Sequence, residues 1–482
     1  MLTFFSRNFR PLASLLVCIA ALGACSSEKA RTDPIGTLSQ PRNSSRAHME
    51  ALSRLDGPIP APGYIKILKT IVTSNDYLIP VREAAFKRLE RYDPKRLTEA
   101  LGMVLGRLEP PEYRAWVIDQ IAAADQRALT DAIIRSWARP TRLWENADDR
   151  PEPRALATMY GKDQIPTVLI KTMLDANPFV EANLRARCWE LVVATGHGDQ
   201  LITLVADEQL VGTDGLLLDM RAAVDDFGIV PRNREEILWI RELRKPELRA
   251  YWNGLSSALE GMNEPRRSSL EPRDLAVVDA VARHDPELLN AEHDALFDRL
   301  SSELRSDERT RYNADLTGWS VKISEGLHDD RDELTWGDLA AMMMAHEAME
   351  SAALRGHIFD LAERDMLDKT TEYGGIIRLD AAGRFELVEH LPRIRVADDR
   401  YHASQALFED GYTALFHVHN HAQRYRNARF AGPHIGDMEY ADETGATGLV
   451  FTFIDPRTIN VDFYRHGAVI VDLGTITRPE TG

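Results

Sequence analysis

The spacing of apolar residues changes once along the chain, and this change limits the folds available to it. From residue 49 to residue 307 the apolar positions follow helical spacing almost throughout, and prolines begin several short helices. After residue 311 one helix precedes apolar runs bounded by Gly, Asp and Pro, which are typical of strands. The sequence therefore predicts a multidomain chain in which an α-helical region precedes an α+β domain with a mixed, largely antiparallel sheet.

One short pattern occurs twice in the helical region, and it resembles the second helix of a HEAT-type repeat. The two copies are Val81-Arg82-x-x-Ala85-Phe86-x-x-Leu89 and Leu184-Arg185-x-x-Cys188-Trp189-x-x-Val192. The resemblance implies helix pairs that stack into a solenoid over residues 49–307, with a surface that can hold a protein partner. It also makes Cys188 a small buried residue. Irregular breaks at residues 140–153 and at Pro231 leave an irregular α-helical domain as the alternative.

The first 24 residues are typical of a secretory signal, because two arginines precede an apolar run too short to span a bilayer as a lone helix. The end of this run, Leu22-Gly-Ala-Cys25, resembles a bacterial lipobox. The resemblance implies cleavage before Cys25 and acylation of that cysteine, palmitate included, which anchors the chain in a lipid bilayer. Ser26 after the cysteine implies the periplasmic face of the outer membrane. An ordinary cleaved signal with an accidental cysteine is the alternative.

Composition restricts the mature chain further. Residues 25–48 are rich in small and polar residues and predict a lipidated cysteine followed by a flexible tether. Once Cys18 leaves with the signal and Cys25 carries lipid, only Cys188 remains, so no intramolecular disulfide can form. The formal net charge of −17 argues against nucleic acid as a partner, because phosphate binding needs clustered cations.

Histidines and carboxylates in the C-terminal region form a metal-binding pattern. If residues 416–419 are a strand, His417 and His419 lie on one face and can bind one ion. Asp437 downstream can supply an oxygen ligand, and Glu372 upstream can take a proton from water. Two histidines, one carboxylate and an open position are the components of a catalytic zinc site.

These residues resemble the motif of the JAMM metalloprotease family, also called MPN-type, which is Glu, then His-x-His-Pro, then Ser-x-x-Asp. The resemblance covers a domain predicted at residues 308–482. It implies that Glu372 is the general acid/base and that His417, His419 and Asp437 bind Zn²⁺.

The chain departs from the family motif at three places. Asn420 stands where the family has Pro, and the spacer between His419 and Asp437 is longer than usual. His434 stands where the family has the Ser that helps to stabilise the oxyanion. His434 is therefore either a replacement oxyanion donor, and so a catalytic residue, or a loop residue.

Several neighbouring residues have more than one interpretation. His421 shares the parity of His417 and His419, so it can be a fourth ligand, a donor that orients one of the ligands, or a substrate contact. The histidines can also belong to a solvated loop, and Glu372 can form a surface salt bridge. The remaining polar residues near the site lack a partner pattern and are expected on the surface; they are Glu389, His390 and His402.

The function predicted from these features is a membrane-anchored, zinc-dependent hydrolase of the bacterial envelope, similar to a peptidase or isopeptidase. Its substrate would be a periplasmic peptide or protein. The alternative is a catalytically degenerate JAMM-like binding module on a helical scaffold.

Overall fold

The computed structural model describes residues 28–139, 149–304, 326–397 and 400–480. The predicted signal peptide and Cys25 lie outside these residues, as does the predicted domain boundary between residues 307 and 308, and all three stay predictions. The described residues belong to two compact units, one up to residue 176 and one from residue 177 onward.

The first unit is built from short helices whose starts carry capping residues. The side chains of Asp33, Ser44 and Asp93 each accept a hydrogen bond from a backbone N–H in the first turn of a helix. Proline occupies the first turn of several others, where its missing N–H costs nothing. The helices are α1 (Pro34–Leu38), α2 (Ser45–Arg54), α3 (Tyr64–Thr73), α4 (Ile79–Tyr92), α5 (Pro94–Val104), α6 (Pro111–Ala123), α7 (Thr130–Trp137), α8 (Pro151–Tyr160) and α9 (Ile165–Asp175).

The described part of the predicted tether, from residue 28 to residue 48, contains α1 and the first turn of α2. Leu38 and His48 are buried in this segment. The hydroxyl of Tyr77 donates to the Leu38 carbonyl at 2.8 Å. The structure therefore differs from a flexible tether here, because a few apolar side chains and local caps hold the segment against the unit.

The repeated pattern lies on α4 and on α10 (Ala182–Ala194), and the two copies are buried at the same positions. Both arginines are buried. The guanidinium of Arg82 lies 3.7 Å from the centroid of the Tyr113 ring, and that of Arg185 pairs with Asp214 at 2.7 Å. Cys188 is buried and forms no disulfide with a described residue. The arginine of the pattern is thus a packing residue that satisfies its charge inside each unit.

The second unit contains the remaining helices and the sheet. Its helices are α10, α11 (Gly198–Ala206), α12 (Glu208–Val211), α13 (Gly215–Ala222), α14 (Arg234–Leu243), α15 (Arg249–Glu260), α16 (Glu264–Arg267), α17 (Asp274–His284), α18 (His293–Leu304), α19 (Trp336–Glu350), α20 (Ala352–Leu367), α21 (Gln405–Gly411) and α22 (Ile435–Thr444). Across the described ranges, no helix is both long enough and apolar enough to cross a membrane.

Six strands form one sheet in the order β2-β1-β3-β4-β5-β6. They are β1 (Gly374–Leu379), β2 (Phe385–His390), β3 (Phe416–His421), β4 (Gly448–Asp455), β5 (Thr458–Arg465) and β6 (Val469–Thr477). Strands β3 and β4 are parallel, and every other neighbouring pair is antiparallel. The prediction of a helical region followed by helices and a mixed, largely antiparallel sheet is confirmed.

Helices pack on both faces of this sheet. On one face, Met438 and Ala441 of α22 belong to a buried cluster with residues of β4, β5 and β6. On the other face, Phe359 of α20 packs against Phe453 of β4, with ring centroids 6.1 Å apart. The interior strand β3 is therefore covered on both sides, and its odd-numbered residues face α22.

A buried ion network joins the helical part of the second unit to the sheet. Asp338, which is fully buried on α19, pairs with Arg273 at 2.9 Å and with Arg465 at the end of β5 at 3.1 Å. Removing one member of such a network leaves a buried charge without compensation. The network therefore holds helix α19 at a fixed position beside the sheet.

Candidate metal centre

Strand β3 directs three histidines to the same face of the sheet. His417, His419 and His421 alternate along the strand, so their side chains point the same way. Their exposed fractions are 9%, 6% and 2%, respectively. The stretch is therefore a buried strand and not a solvated histidine-rich loop.

The pairing of β1 with β3 places Glu372 beside these histidines. Gly374 lies opposite His419, and the N–H of Asn420 donates to the carbonyl of Tyr373 at 3.1 Å. Continuing this antiparallel register by two residues sets Glu372 across from His421. Glu372 is buried, and its Oε1 accepts a hydrogen bond from Nε2 of Gln423 at 3.0 Å. It does not lie on an exposed surface, as a surface salt bridge would require.

The close approach of β1 and β3 depends on glycine at position 374. A Cβ atom there would overlap the carbonyl oxygen of Val418 and would press on the ring of Tyr401. Glycine at this position therefore permits a close backbone approach that a larger residue would prevent.

The N-terminus of α22 supplies the second carboxylate of the site. His434 is the N-cap residue, and Asp437 occupies the third helical position of a capping box. Oδ2 of Asp437 accepts a hydrogen bond from the backbone N–H of His434 at 2.7 Å. Oδ1 of the same carboxylate lies 3.2 Å from Nε2 of His419, and Oδ2 lies 3.8 Å from Nε2 of His421. The capping box therefore points Asp437 at two of the three histidines.

Two overlapping groups of these residues could hold a metal ion. Among the described residues, the side chains of Glu372, His419 and His421 offer ligand atoms that all lie within 4.8 Å of one another. The atoms offered by His421, His434 and Asp437 meet the same limit. His421 belongs to both groups and is therefore the centre of the constellation.

His417, which was predicted to be a ligand, belongs to neither of the two groups in the described chain. Its Nδ1 makes a 2.7 Å hydrogen bond with the hydroxyl of Tyr440. Its Nε2 lies so close to Gly411 that a side chain at that position would collide with the ring. The predicted set of His417, His419 and Asp437 is thus only partly brought together, and His421 stands where His417 was expected.

The hydrogen bonds of the histidines leave nitrogen atoms suited to a metal ion. Nδ1 of His421 lies 2.8 Å from the carbonyl of Phe430, which can only accept, so this nitrogen carries the proton. Nε2 of His421 then keeps its lone pair. Nε2 of His419 is buried and makes no hydrogen bond within the described residues, although Asp437 lies beside it. A buried imidazole nitrogen without a hydrogen bond, next to a carboxylate, fits a metal site.

The surroundings of the site shift the pKa values of its histidines in opposite directions. Burial lowers the pKa of His419, but the negative charge of Asp437 outweighs it and raises this pKa to about 9. Burial, together with the nearby charges of His419 and His434, lowers the pKa of His421 to about 3. Although burial favours the protonated form of Asp437, the charge of His419 holds the pKa of that carboxyl well below its usual range. At neutral pH His421 is thus neutral and Asp437 ionised, as metal ligands must be, whereas His419 carries a proton that a metal ion has to displace.

The constellation opens into a cavity of about 670 Å³, large enough for a short peptide segment. Glu372, His419, His421, His434 and Asp437 all line it. The polar groups of the site therefore border one cavity.

Three features of the site were not identified from the sequence. Gln423 contacts Glu372 from a loop and has no local signal, and the Tyr440 contact with His417 has none either. The central place of His421 had a signal, its parity with His417 and His419, but the strand was predicted to end before it.

The three residues that were expected on the surface lie in different surroundings. Glu389 is half-buried and bonds to His357 at 2.7 Å and to Arg364. His390 is buried at the end of β2, 3.4 Å from Asp410. His402 is half-buried and lines the cavity. Glu389 and His390 are therefore structural contacts of the edge strand, whereas His402 belongs to the wall of the site.

Comparisons of the chain with protein-family models, with curated proteins and with solved structures find no match.

Proposed function

We propose that this chain is a zinc-dependent hydrolase of amide bonds, similar in its chemistry to a JAMM-type peptidase or isopeptidase. The single observation that carries the proposal is the grouping of Glu372 with His419 and His421 in one buried constellation beside Asp437. A carboxylate beside a metal-binding pair, at the wall of an accessible cavity, is the arrangement that metal-assisted hydrolysis requires.

The geometry favours His419, His421 and Asp437 as the ligands, in place of the predicted set that began with His417. The His-x-His element then begins two residues later, and its spacer to Asp437 becomes two residues shorter, closer to the family motif. Ala422 then stands at the position of the family's Pro. Zinc accepts neutral imidazoles and an ionised carboxylate as ligands, so its binding would release the proton that Asp437 stabilises on His419 in the metal-free chain.

Each residue has a role that follows from its place. A zinc ion bound there would polarise an amide carbonyl and lower the pKa of a bound water towards ~7. Glu372, oriented by Gln423, accepts the proton of the attacking water and passes it to the leaving amine. His434, whose ring stacks on that of His421 with centroids 4.5 Å apart, can donate to the developing oxyanion.

The second candidate function is a catalytically degenerate binding module, and one observation favours it. Asp437 already serves as the carboxylate of a capping box, so its position has a structural explanation that needs no metal. His434 in place of Ser is consistent with lost catalysis. This candidate predicts no hydrolysis by the metal-loaded protein.

Metal analysis of the purified chain tests the proposed function. We expect about one zinc per chain, and hydrolysis of an unspecific peptide pool that a chelator abolishes and added zinc restores. The measurements are elemental analysis and mass spectrometry of the pool. A chain that binds no divalent metal would refute the zinc site, and one that binds zinc but cleaves nothing would favour the binding module.

We also propose that the chain is a lipoprotein on the periplasmic face of the outer membrane, with its helical repeats available to a protein partner. The lipobox-like segment before Cys25 supports the anchor, and the matching burial of the two repeated patterns supports the repeats. An experimental structure in which α4 and α10 hold different places in their helix pairs would contradict the repeat assignment.

Replacing the proposed acylation site tests the anchor. Cys25→Ala should move the protein from the membrane fraction to the soluble periplasmic fraction, because acyl chains are the anchor that the sequence predicts. The measurement is fractionation followed by a high-salt wash, with Cys188→Ala as the control that should still pellet. A Cys25→Ala variant that stays in the washed pellet would contradict lipid anchoring at Cys25.

A further inference from the structure

The wall of the cavity carries two arginines that pair with no acidic side chain of the described residues. Arg393 and Arg400 line the cavity and are exposed. Neither makes an ion pair with any residue of the described ranges, whereas most buried arginines of the second unit do, such as Arg185, Arg273 and Arg465. The chain has a formal net charge of −17, so two cations beside one cavity are opposite in sign to the protein as a whole.

The backbone holds these arginines close to the reactive part of the site. The N–H of Glu372 donates to the carbonyl of Arg400 at 3.2 Å, and the N–H of Arg393 donates to the carbonyl of His402 at 2.7 Å. The segment with both arginines is therefore bonded to the residue that carries the proposed general base. Arg393 and Arg400 also line the same cavity as Glu372.

A second loop adds positive charge beside the site. It follows β3 and includes Gln423, which bonds to Glu372, and Phe430, whose carbonyl bonds to His421. Three exposed arginines of this loop also make no ion pair with a described residue; they are Arg424, Arg426 and Arg429. The two loops therefore place a positive potential around the cavity.

The carboxylates of the cavity do not cancel this charge. Glu372 and Asp437 belong to the metal-binding constellation, and a divalent ion there would neutralise them. Glu439 is the other acidic residue of the lining. With a metal ion bound, the two arginines outnumber the one remaining acidic residue of the described lining, which suits a ligand with negative groups.

We propose that Arg393 and Arg400 select an acidic peptide, which presents free carboxylates next to the amide bond held at the metal centre. The inference rests on the proposed function and names its substrate class. A guanidinium binds a carboxylate with two parallel hydrogen bonds, so each arginine can fix one acidic side chain or a free peptide carboxylate. Nucleic acid is disfavoured, because it needs cations along an extended backbone and would meet the net negative charge of the chain.

The test uses the full mature chain loaded with zinc and carrying Glu372→Gln, so that a bound peptide is retained. The probes are two fluorescent peptides of equal length, one with alternating Glu and Ala and its twin with Gln in place of Glu. We expect the acidic peptide to bind about tenfold or more tightly than its twin, measured by anisotropy, with the preference weakened by salt. Adding Arg393→Ala and Arg400→Ala should abolish the preference.

A charge-matched control separates the cavity from the overall charge. Arg107 and Arg249 are exposed, make no ion pair with a described residue and do not line the cavity. A variant with Arg107→Ala and Arg249→Ala in the same background should keep the preference. Circular dichroism of both double variants checks that they fold, which their exposed positions favour.

The inference and the proposed function fail in different ways. Equal binding of the two peptides, an unchanged preference in the Arg393→Ala/Arg400→Ala variant, or tighter binding of a single-stranded oligonucleotide would overturn the acidic-peptide inference. A clear preference for the acidic peptide without its hydrolysis by the zinc-loaded native chain would support the arginine pair and contradict the hydrolase.

Discussion

Glu372→Gln should lower the rate of peptide hydrolysis by about 10²–10⁴-fold while zinc remains bound. Gln keeps the shape of the side chain and can still accept the hydrogen bond from Gln423 through its amide oxygen. It cannot take a proton at neutral pH, so the contribution of general acid/base catalysis is lost. The measurements are kcat/KM on a peptide that the native chain cleaves and the zinc content of the purified variant.

Glu386→Gln is the matched control for this experiment. Glu386 lies on β2, pairs with Arg378 at the surface and does not line the cavity, so its replacement should leave the rate within a few-fold of native. If Glu372→Gln loses its zinc, Glu372 is a ligand. Its grouping with His419 and His421 places it close enough to bind the same ion. If the variant keeps both zinc and full activity, the base lies elsewhere, and His434 is the next residue to test.

The apolar pattern predicted most of the sheet correctly because strands with one buried face have a local signal. The apolar runs after residue 311 that are bounded by Gly, Asp and Pro were expected to be strands, and β4, which covers Gly448–Asp455, is one of them. Strands β5 and β6 are two further apolar runs of this kind, joined by a short turn that contains Gly467. Alternating or continuous apolar residues bounded by Gly, Asp and Pro were sufficient for these elements.

The end of β3 could not be predicted in the same way, and this difference of two residues changes the ligand assignment. The polar residues Asn420 and His421 resemble the end of a strand. They are buried because β4 pairs with both, because the N–H of Asn420 donates to the Tyr373 carbonyl and because the Phe430 carbonyl bonds to His421. These contacts join distant parts of the chain, and no local pattern reports them.

Long-range contacts also explain the difference at the N-terminal segment. Its composition is rich in Ser, Arg and Pro, which favours an unfolded tether. A few side chains suffice to order it: Nε2 of His48 bonds to the Gln40 carbonyl at 3.0 Å, and Tyr77 holds Leu38. The average composition of a segment does not show individual contacts of this kind.

Two matched substitutions in β3 test which of its histidines bind zinc. His421→Ala should weaken zinc binding by more than ~100-fold, because loss of a ligand costs more than the 10–100-fold typical of a residue that only supports one. Hydrolysis should be lost with the metal. His417 lies on the same face of β3 as His421, and its Nδ1 bonds to the hydroxyl of Tyr440. His417→Ala removes this side chain. It should keep about one zinc per chain.

His417→Ala should also lower the stability of the fold. His417 is buried, so His417→Ala leaves the Tyr440 hydroxyl without its partner and should lower the free energy of unfolding by ~1–3 kcal/mol. The measurements are zinc titration with a competing chelator and urea unfolding of the metal-free forms. The assignment of His419 and His421 as the ligand pair fails if His417→Ala loses zinc while His421→Ala keeps it, because the predicted pair of His417 and His419 would then be correct.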